Sequence, residues 1–299
     1  IVEKGVEIVI NKRDLIAKEE TVIAITRDGY AKRSTLKSYK GSGVNALPGL
    51  KQGDVLVAKG NAMTTDYVMC FTNLGNYVCL PVYILVENKW KDEGSHLNNF
   101  VTFSSGEKII KAIIVRKFRD DIYLGFVSKF GQIKRTPLSQ FDSLRHSRPV
   151  KCMRLLNGDE IAGISILSGN SDVLVLTSGG NCSLYNENDV SITGTKAGGV
   201  KSIAALGKQN VSTMLAFDEN ERGKVVLITD KGCQRIFNIE KVNKTQRLGK
   251  PQTAFSCFKN DIHKLVGAVK IPYRIDALDV NLVLNDQSVY TLKVTDFNV

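Results

Sequence analysis

Two lysine–arginine pairs occupy one place in a recurring frame. Lys32 and Arg33 follow Gly29 by three and four residues, and Lys134 and Arg135 follow Gly131 by the same interval. Gln234 and Arg235, after Gly232, read as a third and looser copy. An ammonium offers three donors, a guanidinium offers five, and neither accepts a hydrogen bond. The chemistry such pairs suit is capture of an oxyanion, phosphate above all. More cations trail each copy: Lys37 and Lys40, then Arg145 and Arg148, then Lys241, Lys244 and Arg247.

Bond-making chemistry finds no such support. His96, His146 and His263 are far apart with no partnering pattern, and read as structural or surface residues. No HExxH, GxSxG or CxxC pattern occurs. The stretch "TGTKAGGVKS" (193–202) is glycine-rich but lacks the GxxxxGK[ST] of a phosphate-binding loop. It reads either as backbone passing close to a neighbour or as an exposed loop presenting Lys196 and Lys201. The acidic pairs Asp120–Asp121 and Asp159–Glu160 read as loop residues. No catalytic residue and no metal site is assigned.

The cations need a strand just past a tight turn. Six copies of that arrangement follow one another: "VIAITRDGYAKRS", "VMCFTNLGNYVCL", "LGFVSKFGQIKRT", "VLVLTSGGNCSLY", "VVLITDKGCQRIF" and "LVLNDQSVYTL". Their anchors are Gly29, Gly75, Gly131, Gly180, Gly232 and, in the last, Ser288, with successive spacings of 46 to 56 residues. Thr26, Thr72, Ser128, Thr177, Thr229 and Asn285 open the turns, where a short polar side chain bonds nearby backbone. Glycine then takes the left-handed position without a Cβ clash. A fainter beat at Gly53, Gly106 and Gly158 suggests a turn feeding the first strand of a unit. Helical periodicity is nearly absent, with room for a turn only in stretches such as "DVSITG" and "LPVYILVENKW".

About four short strands per unit, six times over, predict an all-β, six-bladed, propeller-like array of four-stranded blades. Two tandem β-sandwiches are the alternative. Residues 1–20 read as a lead-in from a missing N-terminal part, and 21–299 as a single domain. The chain begins in mid-pattern and without methionine. No apolar run is long enough for a membrane span and no signal peptide is evident. The six cysteines, Cys70, Cys79, Cys152, Cys182, Cys233 and Cys257, read as reduced and buried in strands. Trp90 reads as a packing anchor between units.

Net charge is +11 and unevenly spread. Residues 129–154 carry seven cations against one acid and 224–250 carry seven against two, whereas 155–220 carry three against seven. Copies one, three and five are thus cationic, and copies two and four hold Val78–Cys79 and Ser183–Leu184 where the pairs stand. At equivalent radius in a radial array the pairs would form a discontinuous positive rim. Such a rim predicts contact with phosphates rather than base edges, and therefore sequence-independent, salt-sensitive binding of duplex DNA. An ordinary solvated surface is the bland reading.

The motifs "DGYAKRSTLKSY" and "FGQIKRTPLSQF" resemble repeats at the C-terminal end of bacterial type IIA topoisomerase A subunits, and "TGTKAGGVKSI" and "NGDEIAGI" look like other blades of that domain. The resemblance runs from about residue 20 to 299. It implies a β-pinwheel, in which neighbouring blades exchange a strand. It also implies a role in binding and bending duplex DNA on the outer rim. In gyrase the first blade is followed by Gln-Arg-Arg-Gly-Gly-Lys-Gly. Here "YKGSGVNALPG" (39–49) keeps Lys40, Gly41 and Gly43 but no paired arginines. That departure, with "NKWKDEGSHL", makes the chain similar to topoisomerase IV A subunits (the ParC kind) of Gram-positive bacteria rather than to gyrase.

The resemblance further implies that the catalytic tyrosine, which follows an arginine, lies outside this chain, since none of its nine tyrosines does. The fragment is then no enzyme by itself and carries no cofactor; ATP and Mg²⁺ belong elsewhere in the parent. The expected partners are duplex DNA and, in the parent heterotetramer, the topoisomerase IV B subunit (ParE), with the isolated domain monomeric. The expected location is cytoplasmic and nucleoid-associated, with the parent's peripheral attachment to the membrane left open. DNA would be presented for supercoil relaxation and decatenation in chromosome segregation. The expected contacts are Lys32, Arg33, Lys37, Lys40, Lys134, Arg135, Arg145, Arg148, Arg235, Lys241, Lys244 and Arg247, with Lys32, Arg33, Lys134 and Arg135 mattering more than Lys196 and Lys201. A ring that docks proteins is the alternative function; a glycan-processing propeller would need axial carboxylates that the turn residues Asp28 and Asp230 do not supply.

Overall fold

The first five hairpin turns are closed by the same two bonds, and Asn285, expected to open the sixth, lies outside the described residues. Gly29 N–H donates to the Thr26 carbonyl at 3.2 Å, and Tyr30 N–H donates to Thr26 Oγ1 at 3.0 Å. The pattern repeats at Thr72, Ser128, Thr177 and Thr229, and all five anchor glycines have φ between +71° and +97°. An L side chain is strained there, so glycine is what the turn demands.

This is a computed structural model; it describes residues 15–43, 46–142, 147–218, 221, 223–256, 262–271, 278–283 and 288–294. The strands of the first half are β1 (Glu20–Thr26), β2 (Tyr30–Thr35), β3 (Leu56–Met63), β4 (Tyr67–Thr72), β5 (Asn76–Pro81), β6 (Ser95–His96), β7 (Ile109–Val115), β8 (Tyr123–Ser128), β9 (Gln132–Pro137) and β10 (Val150–Lys151). Then come β11 (Ile161–Leu167), β12 (Asp172–Thr177), β13 (Asn181–Asn186), β14 (Val200–Lys201), β15 (Val211–Phe217) and β16 (Lys224–Thr229). Last are β17 (Gln234–Asn238), β18 (Gln252–Thr253), β19 (Leu265–Lys270), β20 (Leu278–Val283) and β21 (Val289–Val294).

Six antiparallel sheets result. Blades 1 to 4 are ordered β3-β1-β2-β6, β7-β4-β5-β10, β11-β8-β9-β14 and β15-β12-β13-β18. Blade 5 is β19-β16-β17 and blade 6 is the hairpin β20-β21. The expected four strands per blade therefore hold for four blades among the described residues. The two-residue strands β6, β10, β14 and β18 each come from beyond the next blade's hairpin and return to the previous sheet. This is the strand exchange that the resemblance implied.

Strand order is also radial order. Inner strands β11, β15 and β19 abut one another and, with β7, line a central cavity of about 600 Å³. The returning strands, at the other end of each sheet, are outermost. Gly53, Gly106 and Gly158, with φ near +76°, precede the inner strands β3, β7 and β11, which close on the preceding hairpin rather than opening a unit.

The core lies between blades. Alternate residues of β4 point opposite ways: Val68 and Cys70 pack with Ile23 and Ile25 of blade 1, while Met69 and Phe71 pack with Leu124 and Phe126 of blade 3. Both faces of the central strands are covered, so those strands read as unbroken apolar runs. Among the described residues helix is confined to α1 (Leu36–Gly41), capped by Thr35, whose Oγ1 accepts Ser38 N–H at 3.2 Å, and to single 3₁₀ turns such as Val82–Ile84. The sequence signalled the 3₁₀ turn in "LPVYILVENKW" but not α1. No helix among the described residues is long and apolar enough to cross a membrane.

Candidate nucleic-acid interface

The lysines that headed the expected interface are inside the protein. Lys32 and Lys134 are each 1% exposed. Lys32 Nζ donates to the carbonyls of Trp90, at 2.6 Å, and Asp92. Lys134 Nζ donates to the carbonyls of Cys152 and Gly194, both at 2.7 Å, and Thr195 at 3.0 Å. Trp90, Asp92, Gly194 and Thr195 lie on segments that return from the following blade, while Cys152 lies on the segment that leaves blade 3 to edge blade 2. Burial pushes the Lys32 ammonium below its ordinary pKa and that of Lys134 down to about 8.

The arginines hold the same segments. Arg135 Nε donates to Val190 O at 2.6 Å, and its guanidinium pairs at 2.9 Å with Glu187, whose side chain is fully buried. Glu187 Oε1 also accepts Gly169 and Ser171 N–H. Arg33 does the milder equivalent with Leu85 O and the half-exposed Glu87. Each arginine forms a parallel bridge with the returning chain, Arg33 to Glu87 and Arg135 to Ile192. The Lys-Arg pairs therefore latch exchanged segments, and the expectation that Lys32, Arg33, Lys134 and Arg135 face phosphate is corrected. A chain that leaves one sheet to edge another carries carbonyls without ladder partners, and buried cations satisfy them.

The remaining expected contacts divide. Lys37 and Lys40 on α1, and Arg148, Arg235, Lys241 and Lys244, are exposed. Lys244 pairs with Asp172, while Arg247 is half-buried, bonded to Asp189 and the Lys201 carbonyl. Arg145 lies outside the described residues. Register also corrects one alignment: Arg235 faces Leu227 as Lys32 faces Ala24 and Lys134 faces Phe126, so Arg235, not Gln234, is the counterpart of the buried lysines.

Strand exchange shifts the charge by one blade. The segment 147–154 lies beyond the third hairpin but edges blade 2, and 239–254 follows the fifth but edges blade 4. Exposed Arg148, Lys151 and Arg154 sit on the first; exposed Lys241, Lys244 and Lys250 sit on the second. Lys196 and Lys201, ranked low from sequence, are exposed on the segment edging blade 3. Sequence reasoning missed Lys151, Arg154 and Lys250. Their signal was a basic residue flanking a Gly- or Pro-led dipeptide strand, as in "PVKCMR".

Other expectations resolve simply. Trp90 is fully buried against blade 1, with Nε1–H donating to Ala46 O at 2.9 Å. His96 stands edge-on to Tyr30 and bonds Asp28 O, and His263 bonds Thr229 Oγ1, so both are structural; His146 lies outside the described residues. In "TGTKAGGVKS", Gly199 passes so close that a Cβ would meet Ile133 backbone at 2.7 Å. Cys70, Cys79, Cys152 and Cys182 are buried, and burial raises Cys70 and Cys152 to about 12. Cys233 is exposed, against expectation, because nothing among the described residues covers the edge beside it. Cys257 lies outside the described residues. No group of three metal-ligating side chains occurs among the described residues.

The family model described as "DNA gyrase C-terminal domain, beta-propeller" matches residues 20–58, 66–116, 123–168 and 171–218, more than half of the chain. The chain belongs to that family. Curated relatives include the DNA topoisomerase 4 A subunit of Staphylococcus epidermidis, 30% identical over 88% of this chain and 33% of the relative, and that of Bacillus subtilis, 30% identical over 89% and 33%. The chain thus spans about a third of the length of the curated relatives it matches. A solved C-terminal domain of DNA topoisomerase IV superposes with a TM-score of 0.83 at 28% identity, over 94% of this chain and 85% of that one. The E. coli ParC C-terminal domain, at 15% identity and a TM-score of 0.63 over 85% and 99%, shares the fold. The resemblance to topoisomerase IV A subunits of Gram-positive bacteria stands, and these DNA gyrase C-terminal family blades are its basis.

Proposed function

We propose that this domain binds duplex DNA without sequence preference along its outer edge and bends it. The observation that carries the reading is the pair of basic returning segments, 147–154 and 239–254, on the outer edges of blades 2 and 4. Their exposed cations suit phosphates, whose contacts position a duplex without reading it. A duplex that touches cations on successive outer edges must curve. Smooth bending of a short site costs roughly 1–6 kcal/mol, which several such contacts offset.

In a longer enzyme, together with a B subunit (ParE), the domain would present DNA segments for relaxation and decatenation in chromosome segregation. DNA cleavage, ATP and Mg²⁺ would belong to the parts outside this chain, and the setting would be the cytoplasm and nucleoid. The test is a mobility-shift titration of the isolated domain with duplex DNA. Affinity should fall steeply as salt rises, by roughly a thousandfold between 50 and 200 mM for about six phosphate contacts. Salt-insensitive binding, or none, removes the reading. A protein-docking ring is the second reading, favoured by the cleft between Leu206 and the exposed Phe130 and Leu248. It predicts partner capture that high salt leaves intact.

A further inference from the structure

The inner strands of blades 1 to 5 each slip register beside the hairpin turn, opposite Thr26, Thr72, Ser128, Thr177 and Thr229. The residues just past the slip therefore stand at one level around the axis. They are Ala58 facing Ile25, Lys111 facing Phe71, Gly163 facing Val127, Thr213 facing Leu176 and Gly267 facing Ile228. Four of the five are no larger than threonine, which leaves space at this level. Lys111 is the exception, and it projects a long cation into that space.

Lys111, Gly163 and Thr213 all line the central cavity of about 600 Å³. The Lys111 side chain is open to solvent, yet enclosure by the surrounding blades pushes its ammonium below the ordinary pKa, and no acid offsets the shift. Neither Lys111 Nζ nor the half-buried Thr213 hydroxyl has a partner among the described residues. The cavity's other lysine is engaged. Lys270 Nζ donates to Ala216 O at 2.9 Å, pairs with Glu221 at 2.7 Å and lies 4.7 Å from the Phe217 ring centre. It stands three residues along β19 from Gly267, a rise of about 10 Å. Between the two levels the wall is Ile164, Met214, Leu215 and Val269, with Ile166 half exposed at its far end. No aspartate or glutamate is among the lining residues.

We propose that the axial cavity is a binding site for a small amphiphilic anion, a carboxylate or sulfonate whose head meets Lys111 and Thr213 and whose apolar body lies along Ile164, Leu215 and Val269. A hollow of this size, walled mostly by aliphatic side chains with a few convergent polar groups, is how small-molecule sites are built. An ammonium held away from bulk water without a partner is costly, and an anionic head removes that cost. The hydroxyl of Thr213 donates a second bond to the same head. Lys270 is already matched by Glu221, so the cavity takes one negative charge at one end and an uncharged tail toward the other. The site is on the axis, away from the outer edges, and the inference does not rest on the DNA reading.

The test is calorimetric titration of the chain with octanoate, 1-octanol and octylammonium, which share one tail and differ in the head, all below micelle formation. Octanoate should bind at a single site, more tightly than 1-octanol by roughly tenfold or more, the worth of a hydrogen bond to a charged group. Octylammonium should not bind. Lys111→Met should bring octanoate down to the level of 1-octanol, and Lys111→Arg should restore the preference. Thr213→Phe, which fills the cavity, should remove both ligands, with a melting curve to show that the variant is folded. Charge reversal at Arg148, Lys241 and Lys250, on the outer edges, should leave octanoate affinity unchanged. Three results overturn the site: no saturable binding of octanoate, equal octanoate affinity in the native chain and Lys111→Met, or a loss of octanoate binding on reversal of the outer charges.

Discussion

The Lys134 ammonium lies 2.7 Å from the carbonyl of Gly194, sixty residues on, and its other donors reach Cys152 and Thr195. A cation whose type and place suggest outer charge is the clasp of an internal strand exchange. Replacing it by methionine keeps the apolar stem and strands the carbonyls. We expect Lys134→Met to lower stability by about 1–3 kcal/mol, the cost of leaving buried polar groups unpaired. Urea unfolding measures the loss, and hydrogen exchange should report early opening at Val200–Ser202. An unchanged midpoint would show that the clasp is idle.

The same lysine should make stability depend on alkaline pH. Unfolded, it holds its proton to near the ordinary value of 10.5; folded, burial lets the proton go at about 8. Between those values the unfolded state binds more protons, so rising pH favours the fold, and the gain is lost as pH falls through 8. Relative to Lys134→Met, the native chain should gain on the order of 3 kcal/mol at most from pH 8 to 10.5, with the carbonyl acceptors reducing that figure. Parallel melting curves for the two proteins across the window would refute the shift.

Two ion pairs in equivalent places should differ in strength. Arg135–Glu187 is sealed, with side chains 8% and 0% exposed, while Arg33–Glu87 is 21% and 46% exposed. Removing one partner of the sealed pair leaves a buried charge, at a cost of about 3–5 kcal/mol. The exposed pair should couple by no more than about 1 kcal/mol. Double-mutant cycles with Arg→Met and Glu→Gln at each pair measure both. Equal couplings would mean that burial is not what distinguishes them.

Thiol chemistry should separate one cysteine from the rest. Cys233 is exposed, whereas burial raises Cys70, Cys152 and Cys182 to about 11 or 12 and leaves them unreactive. Fragment mapping after brief maleimide exposure should show Cys233 modified and Cys70, Cys79, Cys152 and Cys182 untouched until the protein unfolds. Early modification of Cys152 would place the blade 2 edge in frequent opening.

The hairpins were legible because their cause is local. Thr26 and Gly29 make a turn from four consecutive residues, and the same four-residue logic recurs at Thr72, Ser128, Thr177 and Thr229. The interface was misread because its cause is not local. Nothing in "AKRS" says that a segment nearly sixty residues later will cover it, so Lys32 looked like surface. The recurrence itself was real, since strand exchange repeats and its clasp repeats with it. The readable clue to exchange was the constant interval from each hairpin to "GSHL", "PVKCM", "GVKSI" and "PQTAF". Charge density survived as a signal but moved one blade, because 147–154 and 239–254 edge the blades before their own.

That displacement reorders the cations expected to meet DNA. Charge reversal at Arg148, Lys241 and Lys250 removes exposed charge from two outer edges without touching a latch. It should weaken duplex binding and flatten the salt dependence by about 0.9 for each phosphate no longer neutralised. Lys32→Met and Lys134→Met should do the opposite: each lowers the melting temperature, yet the folded fraction keeps its DNA affinity and its salt slope. Reversing Lys196 and Lys201, exposed beside blade 3, should cost more binding than either. Fluorescence anisotropy with a labelled duplex, at several salt concentrations and well below each variant's melting temperature, separates the two effects. If the buried lysines prove the more damaging to affinity at full folding, the latch assignment fails and the cations must swing outward to reach phosphate.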